Sequence, residues 1–88
     1  MIVDGYELTA FTNLSEEICL KVLDITVQEF GEIGNFYIED NEVSFEVYRG
    51  YFEEAPNIIE SEDKTVRLGL IAKFDDPFYT LCFEILQL

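Results

Sequence analysis

Apolar and polar positions recur with two different periods along this 88-residue chain, and the changes of period mark out its elements. Through residues 13–31, NLSEEICLKVLDITVQEFG, the period is helical. At about 100° per residue, Ile18, Cys19, Leu20, Val22, Leu23, Ile25, Thr26, Val27 and Phe30 sweep one continuous face, leaving a narrow ridge of Glu17, Lys21, Asp24 and Gln28. Asn13 or Ser15 can cap the start, Glu16 and Glu17 bring negative charge to the positive end, and Gly31 stands where the helix should stop. The apolar arc is roughly twice the ~100° stripe of an ordinary surface helix, so the spacing predicts burial on more than one side. The second covering surface is expected to be the 51–61 segment or another subunit, with a homodimer preferred.

Elsewhere the period is two, which is the signature of strands. Residues 2–12 predict a first strand, with Tyr6, Leu8 and Ala10 on one side and a bulge or bend at Gly5. In 35–39, Phe36 and Ile38 oppose Tyr37 and Glu39. After a turn at Asp40–Asn41, Val43, Phe45 and Val47 alternate strictly with Glu42, Ser44, Glu46 and Tyr48. That predicts a hairpin with one apolar face and one acidic, tyrosine-bearing face. Residues 51–64 show no clean period, and Pro56 disfavours helix before it, so a loop with one short helical turn is expected. In 65–74, Val66, Leu68, Leu70, Ala72 and Phe74 should point inward, with Arg67 and Lys73 outward. Asp75-Asp76-Pro77 turns the chain into a last strand, 78–88. Tyr79, Leu81, Phe83 and Ile85 form its core face, and its other face, with Thr80, Cys82, Glu84, Leu86 and Leu88, is unusually apolar.

The order β-α-β-β-β-β defines an α+β fold. One buried amphipathic helix should pack on a curved, mainly antiparallel sheet of about five strands, in a single acidic domain over residues 1–88. Eight Phe and five Tyr supply core material, and a 49% hydrophobic content excludes disorder. Cys19 and Cys82 read as reduced thiols inside core elements, since two cysteines make no disulfide framework. The start, MIVDGYEL, lacks a basic region, and no apolar run approaches the ~20 residues of a membrane span. A soluble, cytoplasmic protein is therefore expected.

Charge changes this picture most. The net charge is −14, beyond the ~2–8 that serves solubility in a small domain. It is uneven: residues 1–48 set eleven acids against Lys21 alone, and residues 49–88 set eight acids against Arg49, Lys64, Arg67 and Lys73. Mutual repulsion predicts carboxylates titrating above their usual range near ~4, and stability that grows from neutral pH toward about 5.

Chemistry is sparse. There is no His, so zinc sites, Ser–His and Cys–His pairs are excluded. The acidic turns at 39–42 and 60–63 do not follow calcium-loop spacing, the five glycines form no phosphate loop, and no carboxylate pair is singled out by its spacing. The expectation is no enzyme, no cofactor and no metal. Direct nucleic-acid binding is disfavoured, because phosphates would be repelled. A carboxylate array can instead occupy a basic channel built for nucleic acid. On one strand face Glu42, Ser44 and Glu46 recur every ~6.6 Å, a scale comparable to the ~3.4 Å spacing of duplex phosphates.

In size and charge the chain resembles phage- or plasmid-encoded acidic inhibitors, among them anti-CRISPR proteins and DNA mimics that block nucleases. The resemblance is one of composition, with no shared motif. It implies a non-enzymatic inhibitor, or a closely related immunity protein, that binds a basic nucleic-acid-handling enzyme. The expected contact runs along Glu39, Asp40, Glu42 and Glu46 and continues to Glu53 and Glu54, with Tyr48 and Tyr51 as aromatic anchors. The competing expectation is a structural or oligomerisation module with no such partner.

Overall fold

The computed structural model describes residues 2–3, 6–7 and 9–87, with side chains described from residue 9 to residue 86. Helix α1, Glu16–Phe30, begins and ends on the expected residues. Ser15 is the N-cap, and its Oγ accepts from the Ile18 amide at 3.2 Å. Gly31, at φ 71°, closes the helix by donating its amide to the Val27 carbonyl at 2.8 Å.

The chain is α+β. It has one long helix on an open six-stranded sheet in the order β3 (Thr9–Phe11), β4 (Gly34–Glu39), β5 (Glu42–Glu46), β8 (Thr80–Gln87), β7 (Arg67–Phe74), β6 (Ile58–Glu60). All neighbours pair antiparallel except β3 and β4, which run parallel because α1 connects them. The core lies between α1 and the inner sheet face. Phe30 from the helix meets Phe45 at 5.3 Å and Phe83 at 5.9 Å, and Phe45 stacks on Phe83 at 5.8 Å. Val22, Ile38, Val43, Leu68 and Leu81 complete this fully buried layer.

Several expectations need correction. The single strand over 2–12 is instead a two-residue pair, β1 (Ile2–Val3) with β2 (Tyr6–Glu7), followed by the separate β3. Gly5, Leu8 and Leu88 lie outside the described residues. The short helical turn expected in 51–64 is present as helix α2 (Arg49–Glu53), but the rest of that segment is not all loop: it holds strand β6, whose adjacent Ile58 and Ile59 disguise the alternation. Ile59 is buried and Ile58 exposed, so β6 is an ordinary two-faced strand.

In β7 the alternation breaks at a bulge between Leu70 and Ala72. One extra residue exchanges the two faces of everything beyond it. Ala72 and Phe74 therefore align with Cys82 and Thr80 on the outer face, while Lys73 turns to the helix side, with Nζ 4.6 Å from the centre of the Phe52 ring. Cys19 is buried as expected, but Cys82 is only half-buried, on the outer face.

The polar ridge of α1 does not rest on a Glu17–Lys21 pair. Lys21 reaches across to the β6–β7 turn, donating to Asp63 at 2.7 Å and Thr65 at 2.6 Å. Strand β6 thus supplies the second surface against α1, and Leu20 and Val27 are half-buried. In the same turn Ser61, Thr65 and the Thr65 amide also donate to Asp63. These bonds hold the Asp63 carboxyl far below its usual range, the Lys21 bond first among them. Lys64 likewise lowers Glu60 by donating to it. Both shifts run opposite to the rise expected from general acid repulsion, because a local cation at hydrogen-bond distance outweighs a diffuse field.

Candidate protein-binding face

The side of the sheet away from α1 exposes Phe11, Glu39, Glu42 and Phe74, and strand register determines what stands on it. Residues paired across strands share a face, with Cβ atoms about 4.5–5.5 Å apart in antiparallel pairs. Following those pairs, one row reads Phe11, Glu39, Glu42, Glu84, Gly69, Ile58. The next reads Thr9, Tyr37, Ser44, Cys82, Ala72, and a third reads Gly34, Glu46, Thr80, Phe74.

The first row sets three carboxylates on successive strands directly beside one another. Like charges in such positions destabilise a sheet. Among the described residues no salt bridge relieves them, although Arg67 stands on the same face two residues from Gly69. Lys21 is paired with Asp63, Arg49 with Glu53 and Lys64 with Glu60, Lys73 lies over Phe52, and Arg67 stands opposite Glu60.

The hairpin tip that presents the row is firmly held. Asp40 adopts φ 53°, a left-handed conformation that Asp tolerates, and its amide donates to the Phe11 carbonyl at 3.0 Å. Thr12 Oγ1 donates to the Asp40 carbonyl at 2.6 Å, and the Ile85 amide to the Asn41 carbonyl at 2.7 Å. A Cβ at Gly69 would fall 2.8 Å from Leu86 Cδ1, the far end of an exposed side chain that packs over this glycine.

The same face exposes apolar side chains that a solvated sheet would hide. Phe11 is 65% exposed, Phe74 54%, and Ile71 and Leu86 49% each. Burial raises the Tyr37 hydroxyl above its ordinary pKa, helped by the Glu39 carboxylate that accepts from it. Burial, and secondarily the Glu42 charge, raises the Cys82 thiol, and burial raises Cys19. Neither thiol is poised as a nucleophile.

The residues expected from sequence fall into two groups. Glu39, Asp40 and Glu42 gather at the hairpin tip, and Glu46 shares the outer face about 13 Å along β5, where Asn35 donates to it. Tyr48, Tyr51, Glu53 and Glu54 are placed elsewhere, on α2 and its two caps. Tyr51 packs edge-on against Phe30 at 6.2 Å beside Gly31, Tyr48 donates to Glu32 at 3.0 Å, and Glu53 is held by Arg49. Sequence reading passed over Glu84 as a site residue. Its signal is its position between Cys82 and Leu86 on the unusually apolar side of β8, but its neighbour Glu42 is distant in sequence.

Among the described residues no helix is long and apolar enough to cross a membrane. The chain matches no protein-family model, no curated protein and no solved structure.

Proposed function

We propose that this protein is a non-enzymatic, cytoplasmic acidic inhibitor whose outer sheet face binds a basic nucleic-acid-handling enzyme, a nuclease or CRISPR effector, in place of DNA or RNA. The observation that carries this reading is the row Glu39–Glu42–Glu84, which has no salt bridge among the described residues, on the outer sheet face. A row that opposes folding gains a purpose when a cationic groove meets it. The exposed Phe11, Ile71 and Phe74 beside it supply the apolar contact area that interfaces combine with charge. Two thiols with raised pKa and the absence of His support a binding role over catalysis.

A second reading, an oligomerisation module, draws on the same exposed apolar residues. A homodimer through this face would bring two acidic rows together, which counts against it at low salt.

The test is inhibition of a panel of nucleases and CRISPR effectors by wild type and by the triple variant Glu39→Gln/Glu42→Gln/Glu84→Gln. Wild type should inhibit at least one enzyme at low salt, and the variant should lose about tenfold or more, equivalent to ~1.4 kcal/mol. Equal inhibition by a folded triple variant would remove the outer face from the site. A wild type that inhibits no enzyme in the panel and binds no basic protein at low salt would replace the inhibitor reading with the oligomerisation module.

A further inference from the structure

A trough of about 350 Å³ crosses the centre of the outer face beside the carboxylate row. Its floor is made of small side chains, Ser44, Cys82 and Ala72, which stand side by side in the second row. Tyr37, Ile71 and Phe74 stand around the floor, and Glu39 and Glu42 also line the trough. The β7 bulge creates it, because it places both Ile71 and Ala72 opposite the single residue Cys82.

Two features decide what fits. A floor whose one polar side chain is Ser44, beside two carboxylates, offers a small hydrated ion too few ligands to replace its water. Two carboxylates reject an anion and leave a plain alkyl group with no polar partner. The complementary group is therefore an apolar stem ending in a cation. An arginine side chain matches better than lysine. Its methylenes can lie on the floor, its planar head can stack on an aromatic ring, and its fork of donors can serve two carboxylates at once.

Resting on the reading of the outer face as a docking surface, we propose that this trough receives an arginine side chain of the basic partner protein. The stem lies along Ala72 and Cys82, and the guanidinium sits between Glu39 and Glu42. This arginine is the energetic centre of the interface, as expected for a side chain enclosed by apolar walls and paired with charge.

The test follows backbone amide shifts of the labelled protein at low salt during titration with N-acetyl-arginine amide. N-acetyl-citrulline amide, its neutral near-isostere, is the control. The expected shifts are confined to Tyr37, Ser44, Ala72 and Cys82 and their neighbours, with citrulline about tenfold weaker or more. Ala72→Leu fills the trough without changing charge, and Glu42→Gln removes one carboxylate without changing shape. Each should weaken arginine binding by about the same factor. Should Ala72→Leu disturb the rest of the spectrum, Ser44→Val serves the same purpose.

Shifts spread over all acidic surfaces, or undiminished binding by the filled-trough variant, would overturn the proposal. If that happened while a basic enzyme still bound wild type and not the triple variant, the trough would fall and the protein-level reading would stand. Localised arginine binding in a protein that captures no basic enzyme would overturn the docking reading and leave only a cation site.

Discussion

Phe45 and Glu42 stand three residues apart on β5, and their surroundings could hardly differ more. Phe45 points inward, where three other phenylalanine rings surround it, and among the described residues no buried side-chain N or O atom is left without a partner. Glu42 points outward between Glu39 and Glu84, with no salt bridge to it among the described residues. The strand is one, and the register is shared, so folding cannot place Phe45 without also placing Glu42. The inner face makes the fold, and the outer face carries charge and apolar area that the fold does not need. Surface of that second kind is where function resides in a small domain built on a rigid sheet.

Truncating the inner face should have the largest effect. Phe83→Ala removes a fully buried ring from the Phe30–Phe45–Phe83 cluster and should cost about 3–5 kcal/mol, read as a fall in the urea midpoint. A loss below about 1 kcal/mol would mean that this cluster is not the centre of the core.

A smaller effect belongs to the turn that clamps β6 and β7 to the helix. Asp63→Asn removes the charge that Lys21 meets at 2.7 Å and should lower the midpoint at neutral pH. The sign of its pH dependence follows from the depressed carboxyl. Its stabilising contribution is fully present above the usual value of 3.8 and fades as pH falls through the lower folded value. Glu60, also lowered by Lys64, adds acid sensitivity to both proteins and leaves their difference unchanged. The gap between wild type and Asp63→Asn should therefore be constant from neutral pH to about 5 and close below about 4. A gap that widens on acidification would contradict the geometry of this turn.

The two faces also differ in how legible they were. Strict alternation over 42–48 predicts β5 and both of its faces, and the caps of α1 are written at Ser15 and Gly31. Those signals are local. The carboxylate row is not. Glu39 and Glu42 are neighbours through a two-residue turn, but Glu84 joins them only because β8 inserts beside β5, a pairing that no local pattern encodes. The bulge at Leu70–Ala72 was equally hidden, since 66–74 alternates well enough to read as one unbroken strand. Tyr51, expected as an aromatic anchor, keeps 45% of its surface exposed while it also packs edge-on against Phe30 beside Gly31, a contact that no local pattern encodes.

The central claim is that Glu39, Glu42 and Glu84 are held against their own repulsion for a purpose other than folding. Its most direct test is the urea midpoint of Glu39→Gln/Glu42→Gln/Glu84→Gln beside wild type, at pH 7, in low and in high salt. Relief of two adjacent like-charge pairs should raise stability by a few tenths to about 1 kcal/mol at low salt. Most of that gain should vanish at high salt, where screening already relieves the row. A midpoint that falls, or a gain that salt leaves unchanged, would show that the row serves the fold and would contradict the account.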